Sequence, residues 1–157
     1  MIKNILVPLD GSELAECALS YVEELATKLA VDKVNLVSVT ERVAGFRVIE
    51  DPKLPSEQRL APEARGKLER TASNYLDRVG KRLESKGIEV EKEVLYGNPA
   101  EEIAIYARHG GTDLIVMSSH GKGGPSRWAH GSVADKVLKS VETPVMIIRA
   151  PACSGTE

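Results

Sequence analysis

The feature that most constrains this chain is a repeated change of period. Short β-branched apolar runs alternate with longer stretches whose apolar residues recur every three or four positions. The first pattern makes strands and the second makes helices, so the alternation predicts βαβ units and a parallel sheet covered on both faces. Ile2 to Leu9 is the first apolar run and stops in the polar turn Asp10-Gly11-Ser12. From Glu13 to Leu29 the positions Leu14, Ala18, Val22, Leu25, Ala26 and Leu29 predict one helix, with Glu13 and Glu16 suited to its positive N-terminal end. Val34 to Thr40 reads as a second strand, and a crossover of this length implies parallel pairing with the first.

The stretch 41–62 carries Gly45, Pro52, Pro55 and Pro62 without a sustained period and is expected to be a long loop. Glu63 to Lys86 returns to helical spacing through Ala64, Leu68, Ala72, Leu76, Val79 and Leu83, with Gly87 as the stop. Ile88 to Leu95 sets apolar residues against Glu89, Glu91 and Glu93, as in a strand near a sheet edge with one wet face, although Lys92 breaks the alternation. Asn98 as cap, Pro99 at the first helical position and Glu101 at the third agree on a helix start, and Gly110-Gly111 ends that helix. The unbroken apolar run Leu114 to Met117 predicts a central strand buried on both faces. Ser132, three residues before Asp135, suggests a capping box using Asp, and Val133, Val137 and Leu138 give the helix that follows an apolar face. Thr143-Pro144 ends it, Val145 to Arg149 reads as the last strand, and 151–157 reads as a flexible tail.

A length of 157 residues fits one domain, here 1–150, without a second core. Hydrophobic residues at 42% and charged residues at 28% are too apolar a mixture for a disordered chain. Lys and Arg number 21 against 23 Asp and Glu, so no whole-protein field draws the chain to nucleic acid or an anionic membrane. Cys17 and Cys153 are too few for a secreted disulfide scaffold, and no apolar run approaches the ~20 residues of a membrane span. The N-terminus lacks the apolar core of a signal peptide, so a cytoplasmic protein with no nucleic-acid and no membrane partner is expected.

In an open α/β sheet, ligands sit beyond the carboxyl ends of the strands where strand order reverses. The site is therefore expected at Leu9-Asp10-Gly11 and Met117-Ser118, if those strands are neighbours. After the fourth strand the chain reads Ser118-Ser119-His120-Gly121-Lys122, and further on His130-Gly131-Ser132. Gly121 lets backbone N–H groups approach an anion, and Gly131-Ser132 opens a helix whose unpaired N–H groups attract phosphate. A Gly-rich surface loop with an ordinary Ser cap uses the same residues, as does an Asp10 that serves only its own turn. Lys122 and Arg127 suit phosphate neutralisation or plain solvation, and Trp128 suits packing. Three His without Cys or carboxylates at ligand spacing do not form a metal site.

These segments resemble the universal stress protein family. The resemblance runs through the Val-Pro-Leu-Asp-Gly-Ser opening, Gly97-Asn98-Pro99-Ala100-Glu101, Ser119-His120-Gly121, Gly131-Ser132-Val133-Ala134 and Thr143-Pro144-Val145. The ATP-binding branch carries G-x-x-G-x(9)-G-[ST]; this chain supplies Gly121, Gly131 and Ser132 but has Ser118 at the first Gly. A Ser there adds a Cβ and a hydroxyl, which either weakens ATP binding or adds a hydrogen bond. The resemblance implies that Asp10 faces the adenosine side of ATP and that Val39 offers backbone groups to adenine. The expected fold is thus α/β, an open five-stranded parallel sheet, Rossmann-like, of strand order 3-2-1-4-5. The expected binding residues are Pro8, Leu9, Asp10, Val39, Ser118, His120, Gly121, Lys122, Gly131, Ser132 and Val133, with Mg²⁺ entering only through the ATP phosphates. No catalytic residue is assigned, because a committed general base and a second carboxylate near Asp10 are both missing. The expected role is nucleotide-dependent regulation in a stress response, by a homodimer joined through Val145 to Arg149; the alternatives are a slow ATP hydrolase and a dimeric scaffold that binds no ATP.

Overall fold

The computed structural model describes residues 1–40, 62–120 and 132–149, with residues 62–65 by their backbone only. The expected tail at 151–157 lies outside these residues, as does the expected loop except for Pro62, which opens a helix. Among the described residues the elements are β1 (Asn4–Pro8), α1 (Glu13–Glu16), α2 (Leu19–Leu29), β2 (Lys33–Thr40), α3 (Pro62–Glu84), β3 (Val90–Tyr96), α4 (Pro99–His109), β4 (Leu114–Ser118), α5 (Ser132–Ser140) and β5 (Val145–Ile148). The strands form one five-stranded parallel sheet of order β3-β2-β1-β4-β5.

The strand pattern explains the two-layered core. Ile5 and Val7 point to one face and Leu6 to the other, and all three are fully buried. One face carries Leu19 and Val22 of α2 with Leu76, Val79 and Leu83 of α3. The opposite face carries Ala100, Ile103 and Ala107 of α4 with Ala134 and Val137 of α5. Every residue of β4 is buried, as an unbroken apolar run requires.

Two sequence expectations need correction. The single helix from Glu13 to Leu29 is two helices, interrupted at Cys17 and Ala18, where the Ala18 N–H reaches back only three residues, to the Ala15 carbonyl, at 3.3 Å. The buried stripe is Ala15, Ala18, Leu19, Val22 and Ala26, whereas Leu29 is 42% exposed and Leu14 only half-buried. The second correction concerns β3, an edge strand as expected, in which Glu91, Lys92 and Glu93 are all exposed instead of one face only. Lys92 breaks the alternation because α3 packs against its stem. A Cβ on Gly80 would stand 3.0 Å from Lys92 Cδ, and the Lys92 ammonium reaches Asp77 at 3.2 Å and Glu84 at 3.4 Å.

Side chains also tie the elements at their ends. Asn98 caps α4 by accepting from the Glu101 N–H at 3.3 Å, with Pro99 in the first turn, as the sequence predicts. Asp113, just before β4, accepts from the N–H groups of Lys3 and Asn4 at 2.8 and 2.9 Å, which joins the starts of β1 and β4. Those two bonds hold its carboxyl below the usual Asp range. Glu23 of α2, 8% exposed, receives Arg82 and Lys86 from the end of α3 and its following turn.

Candidate functional site

β1 pairs with β2 on one side and β4 on the other, so strand order reverses between β1 and β4. The register sets Leu6 opposite Ile115, and carried forward it brings Leu9 level with Ser118. The two sequence-predicted turns therefore meet at the carboxyl ends of adjacent strands, the expected place for a ligand in this architecture. Val39 joins them from β2, because the Leu9 N–H donates to the Val37 carbonyl at 2.8 Å, two residues before Val39.

The β1–α1 turn is built by three side-chain bonds. Asp10 Oδ1 accepts from the Ser12 N–H at 2.9 Å and from the Ser12 hydroxyl at 2.5 Å, while Ser12 Oγ accepts from the Ala15 N–H at 3.1 Å. Ser12, not Asp10, is thus the cap of α1, and Asp10 orients the cap. Gly11 between them has φ +85°, a left-handed conformation that favours glycine, and among the described residues nothing lies within 4 Å of where its Cβ would stand.

Ser118 is engaged within the turn after β4. Its hydroxyl donates to the His120 carbonyl at 2.8 Å and lies 3.3 Å from the His120 N–H, so it closes the turn within itself. Ser118 and Ser119 are both buried, and the Ser119 backbone N–H donates to the Ile148 carbonyl of β5 at 2.8 Å. Ser119 Oγ lies 2.9 Å from His120 Nδ1, which orients the imidazole, and His120 Nε2 is buried with no hydrogen-bond partner among the described residues.

Ser132 is exposed at the start of α5, and Val133 beside it packs on the core under α4 and α5. Asp135, the expected capping-box acid, pairs instead with Lys139 one turn on, at 2.8 Å. Gly121, Lys122 and Gly131 of the expected cradle, and Arg127, Trp128 and His130 nearby, lie outside the described residues. Among the described residues no group of three His, Cys, Asp or Glu stands close enough to hold a metal ion, and no helix is long and apolar enough to cross a membrane.

Sequence reasoning missed Tyr75 of α3. It falls between the core positions Ala72, Leu76 and Val79, so its period resembles packing, yet its hydroxyl is buried without a hydrogen-bond partner among the described residues. No local signal distinguishes it: the Arg78 guanidinium over its ring comes from its own helix and is paired with Glu16 of α1.

Doubly wound topology with paired polar turns at its switch point defines a class of α/β protein that takes its ligand beyond the carboxyl ends of the strands. The sequence matches the model of the universal stress protein family over residues 1–149, and the chain belongs to that family. It is 34% identical over 155 residues to universal stress protein MJ0577 of Methanocaldococcus jannaschii, covering 95% of this chain and 96% of that protein. The solved structure of MJ0577 superposes with a TM-score of 0.78 at 35% identity, over 95% of this chain and 96% of the other. The universal stress protein of Archaeoglobus fulgidus, solved in complex with dAMP, superposes with a TM-score of 0.60 over 94% of this chain and 98% of that one. At 22% identity that likeness shows the fold.

Proposed function

We propose that this chain binds ATP between the β1–α1 turn and the segment from Ser118 to Val133, and acts as a nucleotide-dependent regulatory protein of a stress response. The observation that carries the reading is the meeting of Asp10 and the Ser118 to His120 turn at the switch point of the sheet. Pro8, Leu9, Asp10 and Val39 would receive adenosine, and the Gly121-Lys122 and Gly131-Ser132-Val133 segments would receive the phosphates. The phosphates would carry any Mg²⁺. Ser118 is compatible with this arrangement, since its hydroxyl is used inside its own turn and places no unpaired group on the ligand side. The dAMP held by the Archaeoglobus fulgidus protein supports an adenine nucleotide as the ligand.

The protein is proposed not to be an enzyme. In-line hydrolysis needs a positioned water and an orienting group, and among the described residues only His120 stands at the site as a titratable base besides Asp10. Chromatography of small molecules released on denaturing the purified protein should yield adenine nucleotide. Calorimetry should give ATP binding that Gly131→Val abolishes in a folded protein. Retained affinity in that variant would move the site, and a chain that neither releases nor binds nucleotide would be the dimeric scaffold. Steady-state turnover should fall well below the ~1 to 10³ per second of typical enzymes, and fast turnover lost in His130→Gln would make it a hydrolase.

A further inference from the structure

Cys17 is a nucleophilic group that the nucleotide site does not use. It stands between α1 and α2, at the break where the Ala18 N–H turns back to the Ala15 carbonyl, and it is partly exposed. Among the described residues no cysteine is free, and the Cys17 sulfur is held in a disulfide. The chain has one other cysteine, Cys153. That residue lies outside the described ones, five positions beyond Ile148, where β5 ends.

The fold brings the end of β5 towards Cys17. Ile148 pairs with Ser118 of β4, at the carboxyl end of the sheet from which the β1–α1 turn also rises. Its buried side chain belongs to the same core cluster as Ala15 and Ala18, which stand on either side of Cys17. α1 itself packs on β4, the strand beside β5. Five extended residues reach about 17 Å, whereas packed layers stand only about 10 Å apart and neighbouring strands about 5 Å. The chain beyond β5 is therefore long enough to carry Cys153 to Cys17 with β5 still paired.

We propose that Cys17 and Cys153 are a reversible oxidation site, a disulfide that fastens the chain beyond β5 to the junction of α1 and α2. The bond forms by exchange with a low-molecular-weight disulfide. One cysteine thiolate attacks that reagent and expels half of it as a thiolate, and the second cysteine thiolate then attacks the mixed disulfide and expels the other half. The pair gives up two electrons and two protons, and the reagent leaves as two thiols. A partly exposed disulfide is open to attack by thiols, so the same exchange run backwards restores both cysteines. The closed loop takes in most of the chain and so restricts the unfolded state strongly. In the folded state it ties the β5 edge to the helix that follows Asp10-Gly11-Ser12.

The experiment treats the full chain with oxidised glutathione and, in parallel, with dithiothreitol. Both samples are acid-quenched, digested without reductant and mapped by mass spectrometry. The oxidised sample should contain one peptide pair joining Cys17 to Cys153 within a single chain, and the reduced sample should contain both free thiols. The oxidised chain should melt about 5 to 10 °C above the reduced one, a gap that vanishes in Cys153→Ser and in Cys17→Ser. Glutathione adducts on each cysteine without a crosslink, crosslinks only between copies, or equal melting temperatures in the two states would overturn the proposal. Each of these outcomes leaves the nucleotide reading standing, because the pair does not depend on it.

Discussion

Glu23 offers the most direct test of how the helical layer is held. Its carboxylate is 8% exposed and receives Lys86 Nζ at 2.7 Å and Arg82 Nε at 2.5 Å, whereas those two side chains are about half exposed. Removing the carboxylate leaves two cations that water can reach, so the loss falls below the ~3 to 5 kcal/mol of a fully buried broken pair. It exceeds the ~0.2 to 1 kcal/mol of an exposed pair, because the acceptor itself is desolvated. Hydrogen bonds to charged groups are worth about 1.5 to 3 kcal/mol, which sets Glu23→Ala near 2 kcal/mol. With ~2.1 cal/mol/K of unfolding entropy per residue, the melting temperature should drop by about 6 °C. The effect also has a pH signature. Burial pushes the Glu23 carboxyl up, but the Lys86 and Arg82 hydrogen bonds outweigh it and hold the group below its ordinary value of 4.5. A lowered native pKa contributes stability that is present above the unfolded value and is lost as pH falls through the folded one. Below pH 4.5 the unaltered chain should therefore lose stability more steeply than Glu23→Gln. Calorimetric melting across pH 3 to 7 with both variants, and a double-mutant cycle with Arg82→Ala, measures this. A drop under about 1 °C with parallel acid limbs would refute the reasoning.

Three further outcomes are expected. Burial first, and then Glu93 and Glu91, push Tyr106 up to about 12, so the native chain keeps its proton where the unfolded chain loses it. Stability should fall as pH rises from about 10 towards 12, and urea titrations of Tyr106→Phe should show a flatter alkaline limb. Ser12→Ala removes the cap of α1 and the partner of Asp10, and should cost about 1 kcal/mol, or some 3 °C in a thermal melt. At the β5 edge, the Pro144 and Ile148 carbonyls accept from Ile115 of β4 and from Ser119 just after it, so the alternation turns the Ile147 backbone to the open side. If the proposed dimer pairs this edge with its own copy, Ile147→Pro should give a monomer by light scattering, and a chain that is already monomeric at millimolar concentration would dispose of the dimer.

Local chemistry makes much of this protein legible in its sequence. The start of α4 at Asn98-Pro99, the buried run of β4 and the edge character of β3 all follow from residues within one turn or one strand of each other. The element boundaries differ from the sequence pattern by a residue or two, and the break at Cys17 and Ala18 is hidden because the apolar spacing continues across it. Periodicity alone does not decide that β1 lies beside β4. That adjacency joins residues over a hundred positions apart, and only the register of the assembled sheet brings Asp10 to the Ser118 turn. Lys92 is a flaw in the strand pattern whose reason is Gly80 of α3, packed against its stem. Glu23 reads as an ordinary helical position, because the cations that pair with it come from the end of α3 and the turn after it. Sequence determines elements through contacts between near neighbours, whereas sites are made by side chains whose partners are chosen when distant elements pack.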